Sequence, residues 1–164
     1  MPLETAPEWL YVRQMLDKLL KHLSGSDPAD APNRDDAART AIAAILVEAA
    51  RADDVYLDSE REMIARILME RFGLARAAAE ALRSDGEVAQ AEAADLVRFT
   101  RTVKDAVPIE DRVGVIEAVW RVVYADENRD ADESNLVRRL SGLLYVPDRD
   151  AGLARQRVVA ALPG

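Results

Sequence analysis

The sequence predicts an all-α domain, and three observations carry that prediction. Hydrophobic residues make up 49% of the 164 residues but aromatics only 5%, with alanine abundant. That mix suits close-packed helices better than sheets, where aromatic and β-branched residues are enriched. Apolar residues recur at three- and four-residue spacing along most of the chain, the period of a helix with one buried face. Finally, one pattern, an apolar helix, an acidic loop and a second apolar helix, occurs twice.

The first helical pattern covers residues 7–23, with Pro7 in its first turn and Val12, Leu16, Leu19, Leu20 and Leu23 on one face. Residues 24–35, rich in Ser, Asp, Gly and Pro, read as a flexible linker. The helical domain is expected over 36–164, with Asp35 or Asp36 capping a helix that runs from Ala37 to Arg51. Its stripe is Ile42, Ile45, Leu46 and Ala49. After an acidic loop, Asp58 is expected as the N-cap of a helix buried through Met63, Ile64, Ile67 and Leu68, with Gly73 at the left-handed C-terminal position. A short helix from Ala75 to Arg83, a turn at Ser84-Asp85-Gly86, and a long helix from Glu87 to Ala106, kinked near Asp95, come next. Pro108 opens a helix carrying Val113, Ile116, Val119, Trp120 and Val123. The second acidic loop leads to a helix buried through Leu136, Val137, Leu140, Leu143 and Leu144. Asp148 is expected to cap the last helix, Arg149 to Leu162.

Composition excludes several function classes. The absence of cysteine removes disulfides, thiolate zinc sites and cysteine nucleophiles. The formal net charge of −8, from 22 basic and 30 acidic residues, disfavours the phosphate contacts of nucleic-acid binding and favours cations or basic protein surfaces. No apolar run reaches the roughly 18–20 residues that span a bilayer, and the N-terminus lacks a signal-peptide pattern, so the cytoplasm is the expected location. The only histidine, His22, lies in no triad pattern. Neither a phosphate-binding glycine loop nor a zinc-protease motif is present, and no organic cofactor is expected. An enzyme is not expected.

The duplication is the most informative feature. Ala52 matches Ala125, Asp53 matches Asp126 and Glu60 matches Glu133, at a constant offset of 73 (126 − 53). Two such units could pack about a pseudo-twofold axis. Hard cations take several oxygen ligands from a short segment. Asp126, Asn128 and Asp130 sit at alternate positions, as in an EF-hand loop, but Ala131 replaces the turn glycine and Val137 the final glutamate. The loop is therefore not an EF-hand. Two readings stay open for Asp53, Glu60, Asp126 and Glu133. They gather a divalent cation, with Asp54, Asp58, Glu127, Asn128 and Asp130 as further oxygen donors that favour Ca²⁺ or Mg²⁺ over Zn²⁺. Alternatively, they only cap helices and complement their dipoles.

The segments Ala52–Glu60, Arg71-Phe72-Gly73-Leu74, Asp95–Thr100 and Tyr124–Leu140 together resemble the TerB-like tellurite-resistance family, which is related to the N-terminal domain of the DjlA co-chaperone. The resemblance covers roughly Asp36 to Val146. It implies a bundle of about seven to eight helices in two similar halves, with Asp53, Glu60, Asp126 and Glu133 at a divalent-cation site. It further implies a stress-response sensor or adaptor, with protein partners near the inner membrane but no membrane span of its own. The chain departs from the family where glycine commonly follows the aspartate, because Asp54 and Glu127 stand there. The metal-independent alternative is a protein-interaction module of the DjlA N-terminal type. Arg98, Arg101 and Lys104, three residues apart, are a candidate stripe for an acidic partner; a solvated helix face is the plainer reading.

Overall fold

A run of seven consecutive buried residues, Ala41 to Val47, sets the architecture of the domain. A helix that is apolar all round is a core helix, and six of its residues here are fully enclosed or nearly so. The computed structural model describes residues 13, 16, 30–125 and 131–163, without the side chains of 30–32 and 131–133. The chain divides into two compact units, Met1–Asp35 and Asp36–Gly164. The first is described only at Arg13 and Leu16, both helical and exposed, and at the start of the helix that enters the second. The rest of the expected 7–23 helix lies outside the described residues.

Among the described residues there are seven α-helices and no strand: α1 (Asp30–Ala50), α2 (Asp58–Phe72), α3 (Arg76–Glu92), α4 (Leu96–Ala106), α5 (Val113–Val123), α6 (Ala131–Leu143) and α7 (Asp148–Ala160). A 3-10 turn, Ile109–Asp111, precedes α5. Helix α2 packs on α3 and on α5. Helix α5 packs most extensively on α7 and also on α6, which in turn meets α4. The α5 helix is nearly as enclosed as α1, with Val115, Ile116, Ala118, Val119, Trp120, Val122 and Val123 buried.

Several boundaries differ from the sequence expectation. Helix α1 starts at Asp30, so residues 30–35 are helical rather than linker, and Asp35 and Asp36 are exposed residues inside the helix. Pro32 does not prevent this, because a first-turn proline removes an N–H that has no helical acceptor. Residues 84–86 form no turn either; α3 runs unbroken from Arg76 to Glu92. Gly86 serves packing instead. A Cβ there would lie 2.7 Å from both the carbonyl carbon and Cβ of Ala43 and 2.9 Å from the amide nitrogen of Ala44, so α1 and α3 touch backbone to backbone. The kink expected near Asp95 is a complete break, and the Asp95 carboxylate accepts the Arg98 N–H at 3.2 Å as the N-cap of α4.

Two helix ends share one geometry. Gly73 has φ +61°, and the Leu74 N–H reaches the Met69 carbonyl at 3.1 Å. Tyr145 has φ +58°, and the Val146 N–H reaches the Ser141 carbonyl at 2.9 Å. Both are left-handed terminations with a six-to-one hydrogen bond. Arg112, just before α5, donates to the carbonyls of Lys104 and Val107 at the end of α4 and to that of Leu144 after α6. One guanidinium thereby satisfies acceptors that the ends of two helices leave without intrahelical partners.

Candidate functional site

The first acidic loop leaves α1 at Arg51 and enters α2 at Asp58. Asp53 is half-buried, and its Oδ1 accepts the Val55 N–H at 3.1 Å, closing a turn on its own backbone. Asp54 takes φ +61°. Asparagine and aspartate tolerate this left-handed region better than most residues, and glycine enters it freely. The backbone thus accounts for the glycine common at this place in the resembling family, and Asp54 keeps the same conformation at a small energetic cost.

Asp58 is not the N-cap. That position belongs to Leu57, and Asp58 begins the helix, exposed, 3.9 Å from Arg61. The capping comes from Glu60, whose Oε2 accepts the Leu57 N–H at 2.9 Å. This is the reciprocal half of a capping box, which a leucine cap leaves without its side-chain partner. The same displacement occurs at α7, where Pro147 is the N-cap and Asp148 the first helical residue. In both cases the aspartate sits one residue further in, and its charge still faces the positive helix end. Glu60 is only 2% exposed, unusual for a carboxylate at a helix start.

A polar network pins this loop to α3. The Tyr56 hydroxyl donates to Glu87 at 2.8 Å, and burial together with that carboxylate pushes the phenol well above its usual range. Arg51 and Arg61 lie over the Tyr56 ring at 5.0 and 4.6 Å. Arg51 also donates to Gln90, which donates to Glu48 at 2.7 Å. Nothing in the local sequence announced these partners, since Tyr56 and Glu87 lie 31 residues apart. The only signal was an aromatic residue inside an acidic loop.

The second loop lies mostly outside the described residues. That holds for Asp126, Glu127, Asn128 and Asp130; Glu133 is placed within α6, but its side chain is not described. The entry to this loop is visible. Tyr124 is buried, and its hydroxyl accepts from Arg155 Nε at 2.7 Å, while the Arg155 guanidinium lies 5.0 Å over the Trp120 ring. Helices α2 and α5 run antiparallel. One cleft between them is lined by Met63 and Tyr124, and the next by Arg71 and Gly114. The start of α2 and the end of α5 therefore lie at the same end of the pair.

The donors are carboxylate oxygens, which fit Ca²⁺ or Mg²⁺. Asp53 and Glu60 each accept a backbone N–H, and a carboxylate offers about four lone-pair sites, so capping and ligation are compatible. Among the described residues, no three Asp, Glu or His side chains are grouped to hold an ion. Of the candidate stripe, Arg98 and Arg101 are exposed, while Lys104 is half-buried with its ammonium 4.4 Å from the Tyr145 ring centre. Among the described residues these three cations make no ion pair.

Fold and loops define an all-helical domain with acidic interhelical connections. The family model described as "Tellurite resistance protein TerB" matches residues 39–156, and the chain belongs to that family. No curated protein and no solved structure matches it. No helix among the described residues is long and apolar enough to cross a membrane.

Proposed function

We propose that this TerB-family domain is a non-enzymatic sensor or adaptor that binds a divalent cation at the end of the molecule where the two acidic loops emerge. The two helix–loop–helix units are read as halves related by a pseudo-twofold. Asp53 and Glu60 from one loop, and Asp126 and Glu133 from the other, are the proposed ligands. Asp54, Asp58, Glu127, Asn128 and Asp130 lie within reach along the chain. Ca²⁺ or Mg²⁺ suits this donor set better than Zn²⁺. The family's printed name supports a role in tellurite resistance. Metal stress more widely, and protein partners in the cytoplasm or at the inner membrane, belong to the proposal.

One observation carries this reading: Glu60 is only 2% exposed at a helix start, and the sequence repeats the Asp-to-Glu spacing of seven residues at Asp126 and Glu133. A cap alone needs no enclosed carboxylate. The antiparallel α2–α5 packing supports it further, because the first loop ends and the second begins at one end of that pair. Cation binding would stiffen both loops and change the charge presented there, which gives a sensor its output.

Calorimetric titration with Ca²⁺, Mg²⁺, Mn²⁺ and Zn²⁺ tests the proposal. The expected result is sub-millimolar binding of Ca²⁺ or Mg²⁺, weakened at least tenfold by Asp53→Ala or Asp126→Ala, about 1.4 kcal/mol. Binding no tighter than millimolar, or unchanged in both variants, overturns it.

A second reading has its own observation. Asp53 and Glu60 both bond to backbone N–H groups of their own loop, as plain caps do. On that reading the domain is a metal-independent interaction module of the DjlA N-terminal type. Arg98, Arg101 and Lys104 then meet an acidic partner, and chelation leaves partner binding unchanged.

A further inference from the structure

Away from the acidic loops, a cleft of about 280 Å³ lies between α2 and α5, and an adjoining one of about 410 Å³ extends it toward the end of α7. The two share Glu117 and Arg121. Their walls carry four arginines, Arg66, Arg71, Arg121 and Arg157, against two glutamates, Glu70 and Glu117. On a chain of formal charge −8 this is a locally cationic strip. Both glutamates are already engaged: Arg121 holds Glu70 at 2.7 Å and Arg157 holds Glu117 at 3.0 Å. Arg66 and Arg71 remain as the excess charge.

Arg71 is the unusual member. It is half-buried, and its surroundings disfavour the charged form, with only Asp111 acting the other way. Among the described residues it makes no hydrogen bond or ion pair, although its guanidinium lies 5.9 Å from the Phe72 ring centre. A guanidinium has five N–H donors in a planar fork, and a carboxylate brought into the cleft can take two of them at once. Gly114 on α5 makes room for it, since a Cβ there would approach Arg71 Nη1 to 2.9 Å. The fork is thus seated in the cleft floor beside Ile67 and Ala118. Glu60 and Arg71 lie eleven residues apart along α2, about 17 Å of helix. The Arg71 end of the strip is therefore well separated from the acidic loops, which the adjoining cleft approaches at Met63 and Tyr124.

We propose that this cleft docks an acidic segment of a protein partner, with one Asp or Glu carboxylate taking the Arg71 fork and neighbouring apolar side chains resting along the α2–α5 groove. Charge complementarity selects this occupant, because the excess cations match a carboxylate and the apolar floor favours a peptide over a bare ion. Arg66, in the adjoining cleft, attracts the same charge. This site does not depend on cation binding at the loops.

The test uses the full chain, labelled with ¹⁵N, and three probes: the acetylated, amidated peptide Leu-Leu-Glu-Leu, its Gln twin, and glutarate. The Glu peptide is expected to bind and to shift the Arg71 Nε–H signal. The Gln twin should bind about tenfold or more weakly, the size of one charge-assisted bidentate contact. Glutarate, which keeps a carboxylate but has no apolar side chains for the groove, should also bind about tenfold or more weakly. Arg71→Met and Gly114→Ala should lower affinity for the Glu peptide to the level of the Gln twin. Arg71→Lys should keep only part of it, since an ammonium lacks the fork. Gly114→Ala is the key variant, as it displaces only the tip of a flexible side chain and leaves the helix intact, which an unchanged melting temperature will show. Equal binding of the Glu and Gln peptides, no binding of either, or unchanged affinity in Arg71→Met overturns the proposal. Glutarate binding as tightly as the peptide overturns the partner and leaves a small-carboxylate site.

Discussion

The region α1–loop–α2–α3 and the region α5–loop–α6–α7 solve the same packing problem with different residues. Each begins with an enclosed helix and passes through an acidic loop. Each then ends its next helix on a left-handed residue, Gly73 in one and Tyr145 in the other. Each ties an aromatic at the loop to its third helix. In the first region Tyr56 donates to Glu87, and Arg83 pairs with that glutamate at 3.3 Å. In the second, Arg155 donates to Tyr124. Arg83 and Arg155 are 72 residues apart, as are Gly73 and Tyr145 (155 − 83 and 145 − 73), whereas the loops are 73 apart. Helix α6 is therefore one residue shorter than α2 between its start and its left-handed end. The lesson is that the left-handed helix ends and the aromatic anchors recur, while side-chain identity drifts wherever another residue supplies an equivalent contact.

The largest contrast between the regions is at their third helices. Gly86 in α3 touches the backbone of α1, whereas Gly152 in α7 has nothing within 4 Å of a built Cβ. Gly86→Val is expected to destabilise the domain by about 2–3 kcal/mol, because the clash is with backbone that cannot rotate away. Gly152→Ala is expected to stabilise it by about 0.5–1 kcal/mol through helix propensity alone. Urea unfolding of both variants checks this, and equal effects would erase the distinction.

A smaller difference separates the two helix ends. Gly73→Ala should cost about 1 kcal/mol, since the left-handed conformation is penalised for residues with a Cβ. Tyr145→Gly should relieve a similar strain. Part of the gain is offset by losing the Lys104 contact at 4.4 Å and by the greater freedom of glycine in the unfolded chain. The net expectation is a gain of no more than about 0.5 kcal/mol. A loss above that in denaturant unfolding would mean that the tyrosine is held by more than its ring face.

The smallest effect concerns the ion pair that joins the two regions. The Arg121 guanidinium holds the Glu70 carboxyl below its usual range. A depressed carboxyl stabilises the fold above its unfolded value, near 4.3, and loses that contribution as pH falls through the lower folded value. Glu70 is largely exposed, so solvent and salt reduce the contribution to about 0.3 kcal/mol. Arg121→Met should therefore be slightly less stable than the unsubstituted chain at pH 7, and the difference should close as pH falls through the lowered folded value of Glu70. A difference persisting at low pH would assign it to packing of the arginine stem.

Much of this architecture is legible one residue at a time. Helical periodicity, the glycine at position 73 and the first acidic loop each depend on residues close in sequence, and each is found where periodicity and turn chemistry put it. Misplacements arose where one residue has two local meanings. Gly86 beside Ser84 and Asp85 has the composition of a turn, yet it is a helix contact, because its partner Ala43 is 43 residues away. Asp58 and Asp148 have the chemistry of caps, but Leu57 and Pro147 take the cap positions and the aspartates begin the helices. The candidate site divides in the same way. Asp53 and Glu60 could be singled out by duplication. The Tyr56–Glu87 anchor, the Arg112 clasp and the Arg71 seat on Gly114 depend on contacts between distant segments.

The sequence by itself determined the helical class, the duplicated acidic connections and the family, because all three reside in spacing and residue chemistry. Tertiary structure alone decided that the middle of α1, Ala41 to Val47, is enclosed all round, that Glu60 is buried at the start of α2, and that α2 and α5 run antiparallel with a cationic cleft between them. Burial and charge at a position depend on what packs against it, and a one-dimensional pattern specifies which face is apolar without naming the neighbour that covers it.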